Sequence, residues 1–271
     1  MGMDSGRLPP RWLCRALFRV RPYTAAEALK FALGIRRQYW TAPNGLNLWL
    51  DPVSNLARFL WLGQGVYEIE TTRLIRGSLT PGGVFVDVGT NEGWFSLIAA
   101  RCVGPSGRVV AIEPQRRLLP VLYENMALNK FGDRVLLRSV ALGETEGIGE
   151  LHLAPDLNTG ASSLQRHLRY ETVRERVRVM RLDALLEEAD IGSVDLLKLD
   201  CEGAEEGVLR GAGDYIAQRR IKRLLVEFHP HISGRKSCKA AHQLLLDAGY
   251  VLQRETGTKA TPKRRLFLYV A

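Results

Sequence analysis

At 271 residues and 46% apolar composition, the chain suits one large α/β domain with an appendage, or two small domains, around a substantial core. Its 38 Lys+Arg against 29 Asp+Glu leave a formal charge of +9, and residues 1 to 40 alone hold eight basic and two acidic side chains, a net +6. No stretch approaches the ~20 continuous apolar residues of a membrane span, and arginines interrupt any signal-like core in R-W-L-C-R-A-L-F-R-V-R. Cys14, Cys102, Cys201 and Cys238 lie far apart, which disfavours a disulfide framework or structural zinc. The expectation is a soluble, cytoplasmic protein with four free thiols. The basic N-terminus reads first as a solvated face, and second as a surface attracted to an anionic membrane, a polyphosphate-linked lipid or nucleic acid.

Residues 1 to 10, with Gly2, Gly6, Pro9 and Pro10, read as a disordered start. Helical spacing predicts amphipathic helices over Arg11 to Val20 and, after Pro22, over Thr24 to Tyr39. They are expected to pack over the ligand-binding domain; the sharper alternative has Trp12, Leu13, Leu17 and Phe18 touching a membrane. Asn44-Gly45 between short alternating runs, with Leu46, Leu48 and Leu50 on one face, predicts a hairpin. A helix over Tyr67 to Leu79 leads into the first sheet strand.

The stretch V-F-V-D-V-G-T-N-E-G-W-F-S, Val84 to Ser96, reads as a strand, a tight turn and a helix N-terminus. Glycines let the backbone turn sharply against a ligand, and the helix end offers unpaired N–H groups and a positive dipole end. The spacing here is G-x-x-x-G, without the third glycine of dinucleotide folds or the lysine of a P-loop. Glu113 closes the next apolar run, V-V-A-I, where a carboxylate can accept two hydrogen bonds from a ribose diol. A nucleoside cofactor is indicated without a pyrophosphate.

From Gly83 onward strands and helices alternate, the pattern of a parallel sheet covered on both faces. Strands are predicted near 83 to 88, 108 to 113, 134 to 140, 194 to 200 and 222 to 228. Helices are predicted near 93 to 103, 115 to 130, 203 to 211 and 237 to 248, with Leu118, Leu122, Met126 and Asn129 on one helical face and the first three in the core. Gly147 to Leu153 reads as a hairpin after the third strand, and the Asn-, Gly- and Ser-rich loop from Ala154 to His167 as a functional lid. Tyr250 to Glu255 and Arg265 to Val270 would close the sheet as an antiparallel pair.

Eight segments in order, V-D-V-G-T-N-E-G (86 to 93), I-E-P (112 to 114), E-N-M-A-L-N (124 to 129), A-L-G (141 to 143), G-A-S-S-L (160 to 164), R-L-D-A-L (181 to 185), L-L-K-L-D-C-E-G-A-E (196 to 205) and V-E-F-H (226 to 229), resemble the FkbM-type family of S-adenosylmethionine-dependent methyltransferases. The resemblance runs from about Gly65 to about Tyr250. It implies a Rossmann-like class I methyltransferase fold over residues 79 to 271, preceded by a basic helical and hairpin extension over 1 to 78. S-adenosylmethionine would be the cofactor and S-adenosylhomocysteine the product. The family usually has Ala where Thr90 stands, and a hydroxyl there could still face the cofactor.

Open parallel sheets bind ligands at the carboxyl ends of their strands. On that rule Gly89, Asn91 and Gly93 would hold the amino acid part of the cofactor and Glu113 the ribose. Asp87 would orient the loop or reach the methionyl ammonium through water. The strand end at Val140, Ala141 and Leu142 would bracket the adenine. Asp183 reads as a helix cap rather than a ligand contact.

Methyl transfer is an in-line displacement at sulfur, and a hydroxyl acceptor must also lose its proton. Asp200, Glu227 and His229 are the catalytic candidates, with Glu202 and Glu205 close by in sequence. His229 is the natural base on its ordinary pKa. Asp200 could instead share the cofactor and acceptor sides, or these carboxylates and His229 could bind a divalent metal that acidifies the hydroxyl; no metal site is predicted. His229 could equally be a packing histidine before Pro230, and Lys198 is expected to pair with a neighbouring carboxylate. The reading is O-methylation of a hydroxyl on a sugar, glycolipid or other secondary metabolite, with no nucleic-acid partner and peripheral membrane contact left open. Its rivals are an N-methyltransferase, a nucleotide-binding oxidoreductase and a non-catalytic cofactor-binding module.

Overall fold

The computed structural model describes residues 9–60, 65, 67–165, 173–256 and 265–271. The expected disordered start therefore lies almost wholly outside the described residues, as do residues 166 and 167 of the expected lid. The N-terminal region consists of α1 (Arg11–Arg19), α2 (Tyr23–Ala32), the antiparallel hairpin β1 (Gln38–Thr41) and β2 (Asn47–Leu50), α3 (Asn55–Leu60) and α4 (Ile69–Ser78). The second helix is shorter than its periodicity predicts. Gly34 follows with a positive φ of 67°, a conformation that ends a helix cheaply only at glycine, and residues from Gln38 are strand.

The central sheet begins with β3 (Val84–Val88), α5 (Trp94–Val103), β4 (Arg108–Ile112), α6 (Leu119–Leu128) and β5 (Val135–Arg138). Next come the short β6 (Ala141–Leu142), β7 (Gly147–Leu153), β8 (Val173–Met180) and α7 (Leu182–Glu188). The chain finishes with β9 (Leu196–Leu199), α8 (Glu205–Arg210), α9 (Asp214–Ala217), β10 (Arg223–Phe228), α10 (Gly234–Asp247), β11 (Val251–Thr256) and β12 (Arg265–Val270). The order across the seven-stranded sheet is β11-β12-β10-β9-β3-β4-β5, with β12 antiparallel to both of its neighbours and the other pairings parallel. From β3 the chain builds β4 and β5 to one side, then crosses back to lay β9 and β10 on the other. The switch point, where such sheets bind ligands, is the crevice beyond the carboxyl ends of β3 and β9.

The middle of the chain departs from its predicted elements at two places. The third strand stops at Arg138, and Ala141–Leu142 belong instead to a separate three-stranded sheet, β6-β8-β7. Gly147 to Leu153 is a single strand whose antiparallel partner is Val173–Met180, which was not predicted as a strand. Three successive charges, Arg174, Glu175 and Arg176, break the alternation of V-R-E-R-V-R-V-M, and Val177 turns inward against Ala141 and Leu151.

Strand alternation divides the core. Phe85 joins the apolar layer under α5 and α6, whereas Val86 and Val88 point to the layer under α7, α8 and α10. Cys14, Leu17, Ala26, Ile35, Leu46, Leu48, Leu50 and Leu56 belong to the same cluster as Leu97, Leu118, Leu122 and Met126. The N-terminal helices thus pack on the sheet's helical layer, as expected. Of the four residues named for membrane contact, Leu17 is buried and Leu13 and Phe18 pack against this core, while Trp12 is exposed. Asparagines of E-N-M-A-L-N stitch the hairpin to α6: the Trp49 N–H donates to Asn125 Oδ1 at 2.7 Å, and Asn129 exchanges two hydrogen bonds with the Asn47 backbone at 2.9 and 2.7 Å. All four cysteines are free. No helix of the described residues is long and apolar enough to cross a membrane.

Candidate active site

The loop after β3 takes its shape from its two glycines. Gly89 has φ +80° and lies so close to the end of β9 that a Cβ would stand 1.9 Å from the Asp200 carbonyl oxygen. Gly93, at φ +87°, leads into α5, and a Cβ there would press on Leu122 and Met126 at 2.9 and 3.0 Å. Between them Asn91 has φ 52°, a left-handed conformation that asparagine tolerates better than most residues. Its N–H donates to Glu113 Oε2 at 2.9 Å, and Glu113 Oε1 accepts from the backbone and side chain of Gln115 at 3.0 and 2.9 Å. Burial raises the Glu113 pKa, an effect these donors partly offset.

A cavity partly open to solvent lies against this loop. Gly89, Asn91, Glu113, Ala141 and Asp200 line it; Asp87, Gly93, Glu227 and His229 do not. Asp87 is fully buried beneath the loop, where Ser96 donates to its Oδ2 at 2.7 Å and the Thr90 hydroxyl in turn meets Ser96 at 2.8 Å. Period-two alternation explains its place: Asp87 and Lys198 are register partners on β3 and β9, and both turn toward α5. Asp183 does not line the cavity; it pairs with Arg181 and accepts from the Ala184 N–H at 2.7 Å.

Residues of the expected lid cover the cavity. Asn158, Thr159, Gly160, Ser162, Ser163 and Leu164 line it, and a 3-10 turn at Asp156–Ala161 brings the Thr159 hydroxyl to Asn91 Oδ1 at 2.9 Å. Ser163 Oγ donates to the Glu202 carbonyl at 2.6 Å and Gln165 Nε2 to the Gly203 carbonyl at 2.8 Å. The lid therefore touches both the β3 loop and the β9 end.

Beyond β9 and β10 the side chains converge on His229. Its Nδ1–H donates to Glu205 Oε1 at 2.9 Å. Its Nε2 stands 3.6 Å from Asp200 Oδ1, 3.7 Å from Glu202 Oε1 and 3.7 Å from Glu227 Oε1. Burial pushes the imidazole pKa down, but the Glu205 hydrogen bond and the Glu202 and Asp200 carboxylates outweigh it and raise the value to about 10. The ordinary pKa that made His229 the natural base does not describe it in this setting. Lys198 Nζ bridges Asp200 Oδ2 at 3.3 Å and Asp87 Oδ1 at 3.5 Å. Burial pushes its pKa down, and these two carboxylates more than reverse the effect.

Residues 87–252 match the Methyltransferase FkbM domain. The chain belongs to the FkbM family of S-adenosylmethionine-dependent methyltransferases. It is 30% identical over 198 residues to Methyltransferase sdnD of Sordaria araneosa, a match covering 63% of this chain and 74% of that one. It is 28% identical over 154 residues to 2-O-methyltransferase NoeI of Sinorhizobium fredii, covering 52% and 62% of the two chains. A 28% match over 197 residues to the AMB antimetabolite synthetase AmbE of Pseudomonas aeruginosa covers 60% of this chain but only 9% of that protein. In fold, a putative rRNA-methylase from Clostridium thermocellum superposes with a TM-score of 0.51 at 11% identity, over 74% of this chain and 93% of that one. The sheet is thus that of a Rossmann-like class I methyltransferase.

Residues around the FkbM site that sequence reasoning missed come from outside its motifs. Arg37 reaches Glu92 Oε2 at 2.9 Å and Oε1 at 3.2 Å, bracing the β3 loop from the N-terminal region. Trp94 lines the cavity, and its buried Nε1–H has no hydrogen-bond partner among the described residues. Arg117 anchors the lid through the Ala154 carbonyl and Asp156, both at 2.6 Å. Arg37 and Arg117 stand among many charged residues in the sequence, and only the fold singles them out. The G-W-F of the glycine loop was a signal for Trp94, since any large residue at that helix start must face the cavity or the core.

Proposed function

We propose that this FkbM methyltransferase transfers the S-adenosylmethionine methyl group to a hydroxyl oxygen of a sugar, glycolipid or other secondary metabolite. The observation that carries the reading is one cavity lined together by Gly89 and Asn91 of the β3 loop, Glu113 beyond β4 and Asp200 beyond β9. In this reading Gly89 and Asn91 hold the amino acid part of the cofactor, with Gly93 starting the helix behind them and Asp87 fixing the loop through Ser96. Glu113 takes the ribose and Ala141 flanks the adenine. Asp200 reaches the acceptor and takes up its proton, while Glu227 and His229 set the position and charge of Asp200 from behind. The name of the NoeI relative, a 2-O-methyltransferase, supports oxygen as the acceptor atom.

Calorimetric titration tests the cofactor half. S-adenosylhomocysteine is expected to bind at micromolar concentration and NADH not at all; the reverse would make the protein a nucleotide-binding oxidoreductase. Glu113→Ala should weaken S-adenosylhomocysteine by about 1.5 to 3 kcal/mol, the range for hydrogen bonds to a charged group. Unchanged affinity would remove Glu113 from the ribose. Transfer of labelled methyl to glycolipids but not to amines checks the acceptor half.

A further inference from the structure

The cluster behind Asp200 gathers round one ring nitrogen of His229. His229 is fully buried, and its Nε2 has no hydrogen-bond partner among the described residues. Three carboxylate oxygens nevertheless stand at near-equal distances of 3.6, 3.7 and 3.7 Å from it, just too far for hydrogen bonds. Ligand atoms sharing one ion at about 2.1 Å stand roughly 3.0 to 3.4 Å from one another in tetrahedral or octahedral geometry. The Asp200 and Glu227 carboxylate oxygens would have to draw in toward Nε2 from 3.6 and 3.7 Å to close such a set. One donor atom each from Asp200, Glu227 and His229 already lies within 4.8 Å of the other two.

The surrounding hydrogen bonds fit the same purpose. Metal-bound histidines characteristically donate their second ring N–H to a carboxylate, which fixes the tautomer and aims the lone pair of the other nitrogen at the ion. Glu205, itself buried, does this to His229 at Nδ1. Lys198 engages Oδ2 of Asp200, and the oxygen facing His229 is Oδ1. Asp200 also lines the cavity, so an ion held here would border the space available to an acceptor.

We propose that Asp200, Glu227 and His229 form a divalent-cation site at the acceptor wall of the cavity, with Glu205 as the positioning residue for His229. Two carboxylates and one imidazole suit a cation that accepts oxygen-rich ligation with one nitrogen, of which Mn²⁺ is the natural probe. The site stands on this geometry; its use, binding the acceptor hydroxyl so that its proton passes more readily to water in the open cavity while Asp200 serves as ligand, rests on the methyltransferase reading.

The test is titration of the chelator-treated full chain with Mn²⁺, followed by loss of the free-ion paramagnetic resonance signal, with S-adenosylhomocysteine affinity measured in parallel. One Mn²⁺ per chain is expected. His229→Asn and Glu227→Gln should each weaken it at least tenfold, and Glu205→Gln by about 10- to 100-fold, the range for residues that orient a ligand. Should His229→Asn fail to fold, the two Gln variants decide, with retained S-adenosylhomocysteine binding as proof of an intact cavity. An undiminished free-ion signal with S-adenosylhomocysteine bound would overturn the proposal and leave His229 as a buried imidazolium. Mn²⁺ affinity unchanged in all three variants would also overturn it, by placing the ion elsewhere. Mn²⁺ binding lost in the variants of a chain that never binds S-adenosylhomocysteine would sustain the cation site while removing the methyltransferase reading.

Discussion

The two walls of the cavity, a few residues apart at the switch point, are built on opposite plans. At the ends of β3 and β4 most polar groups are paired: Glu113 takes three hydrogen bonds, and Asp87, Ser96 and Thr90 form a buried chain that leaves Asp87 Oδ1 facing the Lys198 ammonium at 3.5 Å. At the ends of β9 and β10, Asp200, Glu202 and Glu227 gather round an imidazole nitrogen without hydrogen bonding to it. The first wall is a finished shape, so its specificity resides in backbone geometry. The second concentrates negative charge in a low-dielectric place, and such charge is retained only where something positive answers it. Lys198 joins the two, with one carboxylate on each side.

The largest effect should come from breaking the shaped wall. Gly89→Ala forces a Cβ into the Asp200 carbonyl at a left-handed φ; overpacking and backbone strain together are expected to cost about 4 kcal/mol. Chemical denaturation measures this. A loss below 1 kcal/mol, with S-adenosylhomocysteine affinity unchanged, would mean that the loop is not held by its contact with β9.

Arg37→Ala is next. It leaves Glu92, 3% exposed, without its cation, and should destabilise the chain by about 3 kcal/mol. The same denaturation experiment reads it, and a near-neutral result would separate the N-terminal region energetically from the wall it braces.

Trp94→Phe has the smallest expected effect: Trp94 Nε1 is an unsatisfied donor lining the cavity. Removing it should weaken S-adenosylhomocysteine by about 1 kcal/mol, the net worth of a typical hydrogen bond, as read by calorimetry. Equal affinity would show that the indole N–H meets no ligand.

The elements legible in advance share one property: their signals are local. Alternation and glycine placement along V-F-V-D-V-G-T-N-E-G are sufficient for β3, its loop and the start of α5, and N-G between alternating leucines is sufficient for the β1–β2 hairpin. The strand Val173–Met180 escaped because its partner lies across the lid, and its many charges mask a period of two that only pairing with Gly147–Leu153 makes plain. The second helix was extended to Tyr39 because its apolar residues continue past Gly34, where the backbone turns.

The site divides in the same way. Motif order marked out Gly89, Asn91, Glu113, Asp200, Glu227 and His229, because the ends of parallel strands must converge at the switch point. It could not reveal that Arg37, 55 positions from Glu92 in sequence, completes an ion pair beneath the loop. Nor could it show how His229 is set. A histidine before proline reads as a base with an ordinary pKa until burial, Glu205 on one nitrogen and three carboxylates round the other change what it can do. The sequence by itself determined the sheet, the glycine loop and the family, since those depend on neighbours along the chain. The tertiary structure alone decided the charges, since an ionisable group answers to whatever the fold brings within a few ångströms, however distant in sequence.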